Sequence, residues 1–119
     1  TMESGRILNI SSLAAEDVIP GSGHYSAAKA GVNMLTKTFA QELGPRIRVN
    51  CIMPGAVPTE IMMKALRLEE DDLPNLEQIL KLPAGRLGTP TDLGAAALSL
   101  LSPGAAWVTG QNIRVSGGP

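Results

Sequence analysis

A chain of 119 residues with 44% hydrophobic side chains is the size of one modest domain, able to bury a core while leaving roughly a third of its unfolded surface in water. Ten Lys plus Arg against eleven Asp plus Glu give a net charge of −1, and the basic residues are scattered, which argues against nucleic acid or an anionic membrane as a partner. The single cysteine, Cys51, excludes an internal disulfide and reads as a small buried hydrophobe in a reducing compartment, with the cytoplasm expected; no apolar span of about 18 residues and no charged-then-apolar leader is present.

The apolar run Ile7, Leu8, Ile10 after Gly5 predicts a buried strand over Arg6 to Ser11, with Ser12 at its carboxyl end. From His24 to Leu43 apolar residues recur at Ala28, Val32, Leu35, Phe39 and Leu43, which predicts a helix with that stripe as its buried face and Gly44-Pro45 as its stop. "IRVNCIM" alternates through Ile47, Val49, Cys51 and Met53 and predicts a second strand, ended by Pro54-Gly55. Strand, helix and strand in this order form a βαβ unit with a parallel pair and an expected right-handed crossover. Residues 60–82 read as two short helices divided by "EEDDLP", with Asp72 as a cap and Pro74 in the first turn of the second helix. A further helix begins at Thr89-Pro90, takes Asp92 into its first turn and finishes near Ser102-Pro103-Gly104. The last strand spans Asn112 to Val115. Alternating strands and helices predict an α/β sheet covered on both faces, yet three parallel strands leave an apolar edge unpaired.

The stretch "SSLAAEDVIPGSGHYSAAKAG" sets the only tyrosine, Tyr25, four residues before Lys29 and thirteen after Ser12. Residues four apart on a helix share a face, so Tyr25 and Lys29 project from adjacent turns toward one ligand. A free tyrosine holds its proton to about pH 10; a nearby ammonium favours the phenolate and makes the phenol a usable proton shuttle. Ser12, at a strand's carboxyl end, stands where an open α/β sheet places ligand-binding groups, and its hydroxyl is suited to donate to a carbonyl oxygen. His24, about 100° around the helix from Tyr25, reads as a surface residue. With no second histidine or cysteine, no metal site is expected.

"GRILNISS", "YSAAK", "IRVNCIMPG", "GRLGTPTDLG" and "WVTGQNIRVSGG" follow one another in the order and at the intervals of the short-chain dehydrogenase/reductase family, which the chain resembles over essentially its whole length. The resemblance implies an α/β fold, the C-terminal half of a Rossmann-type doubly wound parallel sheet in three α/β/α layers. Residues 1–119 would be the catalytic, substrate-side half of a single NAD(P)-binding domain. It implies Ser12, Tyr25 and Lys29 as the catalytic group, with Lys29 also holding the nicotinamide ribose. It assigns "PGAVPT" to the nicotinamide end of NAD or NADP, through Pro54, Gly55, backbone groups around Val57 and the hydroxyl of Thr59. Read from its residues alone, Pro54-Gly55 is a strand terminator. Asp17 falls where the family often has a substrate-side residue, although a solvated loop carboxylate is the simpler reading.

The family's glycine-rich loop, its "N-A-G" segment, the asparagine of its proton relay and the residue that selects NAD or NADP have no counterpart here. Gly21-Ser22-Gly23 follows no strand and lacks a third glycine at position 26. With a threonine rather than a methionine first, the expectation is that the N-terminal nucleotide-binding half is missing and that the 119 residues alone are inactive. The implied reaction is hydride transfer between NAD(P) and a small-molecule secondary alcohol or ketone. Hydroxysteroid dehydrogenases are closest in look, 3-oxoacyl carrier-protein reductases are the alternative, and Ile61, Met62, Met63, Leu66 and Leu68 suit an apolar substrate. Relatives assemble as homodimers and homotetramers through the Tyr25 helix and its neighbour. A catalytically silent protein that keeps the fold only for association is the competing reading.

Overall fold

The computed structural model describes residues 4–119. Its strands are β1 (Gly5–Ile10), β2 (Ile47–Pro54) and β3 (Asn112–Val115), and its helices are α1 (Gly23–Leu43), α2 (Glu60–Ala65), α3 (Leu73–Leu80) and α4 (Pro90–Leu101). The strands form one parallel sheet in the order β1-β2-β3, with Asn9 opposite Cys51 and Cys51 opposite Asn112. β2 is central, and every residue from Val49 to Met53 is at most 2% exposed. Because successive side chains point to opposite faces, a strand buried from both sides needs cover on both.

Side-chain contacts show where that cover comes from. Asn9 donates to the Thr36 hydroxyl, while Asn33 meets the sulfurs of Met53 and Cys51, so α1 lies on the face of Asn9, Cys51 and Met53. Arg48, of the opposite parity, donates to Leu100 and Ser102 carbonyls at the end of α4, which puts α4 on the other face. The chain moves across the sheet in one direction through both connections, with helices on opposite faces. The two crossovers are therefore of opposite hand, and one departs from the usual right hand.

α1 turns a different face to the sheet than its apolar periodicity predicts. Asn33, Thr36 and Ala40 are buried, whereas Leu35 and Phe39 are 50% and 38% exposed. The polar residues are accommodated by hydrogen bonds: Thr36 donates to the Val32 carbonyl and accepts from Asn9. Asp72 also departs from its expected role. Its carboxylate accepts from the Glu69 N–H at 2.8 Å, closing a short 3-10 turn, and makes no cap bond to α3, although Pro74 does occupy the first turn. Thr89 and Asp92 form the N-terminal capping box of α4. β1, read from its apolar run as a buried strand, has no buried residue: it has a single neighbour among the described residues and leaves Ile7 and Ile10 40% and 51% exposed, the apolar edge that three strands imply. No helix among the described residues is long and apolar enough to cross a membrane.

Candidate active site

The carboxyl end of β1 and the first turns of α1 bring the strand end that carries Ser12 up to Lys29, with Tyr25 beside it. Ser12 follows β1 and accepts from the Ala14 N–H at 3.1 Å, capping the 3-10 turn Leu13–Ala15; an accepted bond leaves the hydroxyl proton free to be donated. Tyr25 and Lys29 lie one turn apart near the start of α1, with the Lys29 Nζ 5.7 Å from the centre of the Tyr25 ring. The same Nζ lies 3.5 Å from the Ile10 carbonyl, two residues before Ser12. At that distance the contact is weak and leaves donors to spare. Tyr25 is 45% exposed, and His24 is on the surface.

The "PGAVPT" loop follows β2 and meets the Ser12 turn. A Cβ at Gly55 would stand 3.3 Å from Leu13 Cδ1, and only 2.7 Å from Ser116 Cβ. The glycine is thus needed for the approach of β3's end, a packing reason that sequence reasoning, looking to a ligand, did not reach. Val57 is buried; its N–H donates to the Gly55 carbonyl at 2.9 Å and its carbonyl accepts from Thr59 N–H at 2.8 Å. Those backbone groups are engaged inside the loop, although each carbonyl keeps a second lone pair. The Thr59 hydroxyl accepts from Met62 N–H and caps α2, keeping its proton to donate.

Asp17 is an exposed loop carboxylate, as its simpler reading expects, and it is tied to β3. Its carboxylate accepts from Arg114 Nη2 at 2.7 Å while Glu16 accepts from Nη1 at 3.2 Å, so the guanidinium on β3 ties down the loop after Ser12. Sequence reasoning missed this pair because its partners are 97 residues apart. It also missed Arg86, whose two terminal nitrogens grip Asp92 at 2.7 and 2.9 Å. That bidentate pair, with the Thr89 N–H and hydroxyl, holds the Asp92 carboxyl well below the usual carboxylate range. A cavity of about 250 Å³ beside it is lined by Val57, Gly88 and Ser116, not by Ser12, Tyr25 or Lys29. Burial pushes the Cys51 thiol up, consistent with an inert core residue. Among the described residues no three His, Cys, Asp or Glu side chains gather as a metal site.

A family model described as enoyl-(acyl carrier protein) reductase, within the short-chain dehydrogenase/reductases, matches residues 1–119. The chain belongs to the short-chain dehydrogenase/reductase family. The 3-oxoacyl-[acyl-carrier-protein] reductase of Chlamydia trachomatis is 44% identical over 116 residues, 97% of this chain and 45% of that protein. The structure of a 7α-hydroxysteroid dehydrogenase complexed with NADH and 7-oxo-glycochenodeoxycholic acid superposes with a TM-score of 0.85 at 40% identity, over 98% of this chain and 44% of the other. A gluconate 5-dehydrogenase from Burkholderia cenocepacia, in complex with NADP and tartrate, gives 0.81 at 34% identity, over 97% of this chain and 44% of the other. The chain spans less than half the length of the relatives it matches. Its three strands and flanking helices are the α/β architecture of those structures.

Proposed function

We propose that the protein carrying this chain is an NAD(P)-dependent oxidoreductase interconverting a secondary alcohol and a ketone, with Tyr25 exchanging the proton at the substrate oxygen. The supporting observation is the Lys29 ammonium over the Tyr25 ring, 5.7 Å from its centre, beside the strand end that carries Ser12. Tyr25 passes the proton to or from the substrate oxygen, and the Ser12 proton is available to the same atom. A nicotinamide cofactor suits the residues present. Lys29 has donors beyond its one weak contact, and Thr59 keeps its hydroxyl proton. Lys29 would hold the ribose, and Pro54, Gly55, Val57 and Thr59 would line the nicotinamide end; when bound, the group supplies or accepts the hydride.

A hydroxysteroid is the substrate class favoured here, with a 3-oxoacyl thioester second. Ile61 and Leu66, 82% and 58% exposed on and beside α2, supply apolar surface for either. Asp17, held by Arg114, serves as an anchor of the Ser12 loop in preference to contacting substrate. The exposed Met34, Leu35 and Phe39 of α1 favour a homodimer or homotetramer, and the cytoplasm is the expected compartment.

Turnover of both substrate classes with NADH and NADPH, in the unsubstituted protein and in Tyr25→Phe, tests the reading. Tyr25→Phe is expected to lose at least about 100-fold in kcat while keeping its cofactor affinity. Undiminished turnover overturns the assignment. The 119 residues alone are expected to be inactive; absence of cofactor binding by the longer protein would favour a silent, purely associating role.

A further inference from the structure

Three consecutive residues at the end of β1 reach three different places. The Ile10 carbonyl faces Lys29 Nζ at 3.5 Å, and the Ser12 hydroxyl caps the turn that follows. Between them Ser11, only 4% exposed, continues the strand ladder through its N–H, 2.9 Å from the Ile52 carbonyl, and donates its hydroxyl to the main-chain carbonyl of Lys29 at 3.1 Å. Lys29 is thus held to the strand end at both its head and its backbone. The head contact is long and weak, so the short hydroxyl bond is the one that fixes the distance between helix and strand at this level.

We infer that Ser11 is a positioning residue: its hydroxyl sets the height of Lys29, and with it Tyr25, above the strand end that presents Ser12. The inference rests on the reading of Tyr25 and Lys29 given above. Among the described residues the Lys29 carbonyl is the one partner of the Ser11 hydroxyl, while the neighbouring Cys51 sulfur contacts Asn33 and the Ile52 carbonyl. Removing the hydroxyl lets the first turns of α1 drift, and displacement of well under 1 Å at an ammonium or a proton donor lowers rates without touching substrate.

Ser11→Ala and Ser11→Thr in the protein that carries this chain provide the test. For Ser11→Ala, kcat is expected to fall about three- to tenfold and the nicotinamide cofactor Kd, measured by fluorescence titration, to rise by a similar factor, with substrate KM unchanged. Ser11→Thr keeps a hydroxyl and is expected to restore both. Should Ser11→Ala not fold, Ser11→Cys, whose thiol is a weak donor, carries the same comparison. Unchanged kcat and Kd in the alanine variant, or equal loss in alanine and threonine variants, overturns the inference. Lys29→Met and Tyr25→Phe separate the two levels: if both retain turnover the reading of the site fails, and if both lose it while Ser11→Ala does not, only the role of Ser11 fails.

Discussion

The two ends of the sheet use polar side chains in opposite ways. Near the amino end of β2, Arg48 donates to the carbonyls of Leu100 at 3.0 Å and Ser102 at 3.2 Å, meeting the close of α4 with a positive charge, and to that of Val108, before β3, at 3.1 Å. Asn50, 2% exposed, donates to the Val108 carbonyl and accepts from Gln111 N–H. These groups find their partners within the protein. At the carboxyl end Lys29 makes one contact of 3.5 Å, Tyr25 is 45% exposed, and Ser12 and Thr59 each accept a bond while keeping a proton. Polar groups bonded internally hold the fold, and the groups left with donors are the ones the proposed function assigns to cofactor and substrate.

The largest expected effect on that contrast comes from Lys29→Met. It should lower kcat/KM by at least about 100-fold and weaken cofactor binding, read by steady-state kinetics and fluorescence titration, with the unfolding midpoint barely moved. Arg48→Ala should do the reverse, costing about 2 to 3 kcal/mol in denaturant unfolding while kcat below the transition is kept. A fall in stability for Lys29→Met equal to that for Arg48→Ala would erase the distinction.

Much of the framework was legible because it is local. β3 runs from Asn112 to Val115 as expected, β1 is displaced by one residue, and Thr89 with Asp92 opens α4 where the capping pattern places it. The buried face of α1 was not legible. Asn33 and Thr36 occupy core positions by virtue of partners on the strands, and a stripe drawn from apolar residues selects Leu35 and Phe39 instead. Arg48 and Asn50 carried a usable signal, as polar residues inside a strand that is otherwise apolar. The Arg114 pairs and the contact of Gly55 with Ser116 carried none, since they join segments brought together only by the sheet order.

Gly55→Ala sharpens the boundary between the two ends. Its added Cβ would lie 2.7 Å from Ser116 Cβ, so a loss of about 1 to 3 kcal/mol is expected in unfolding, together with a raised cofactor Kd because the loop must move. The smallest effect belongs to the Arg86–Asp92 pair. Asp92 is held below its unfolded range first by the Arg86 hydrogen bonds and then by Thr89, so its contribution is present above about pH 4 and is lost as pH falls toward its lowered folded value. Asp92→Asn should therefore lower Tm slightly at neutral pH and flatten the decline of Tm below about pH 4, followed by calorimetry across pH. A decline as steep as that of the unsubstituted protein would mean that other carboxylates carry it.

Measuring kcat and the unfolding midpoint of Tyr25→Phe in one preparation, at saturating cofactor, addresses the division between the two ends most directly. The predicted result is turnover reduced by at least about 100-fold at an unchanged midpoint. Turnover retained, or lost only in step with the midpoint, would contradict it.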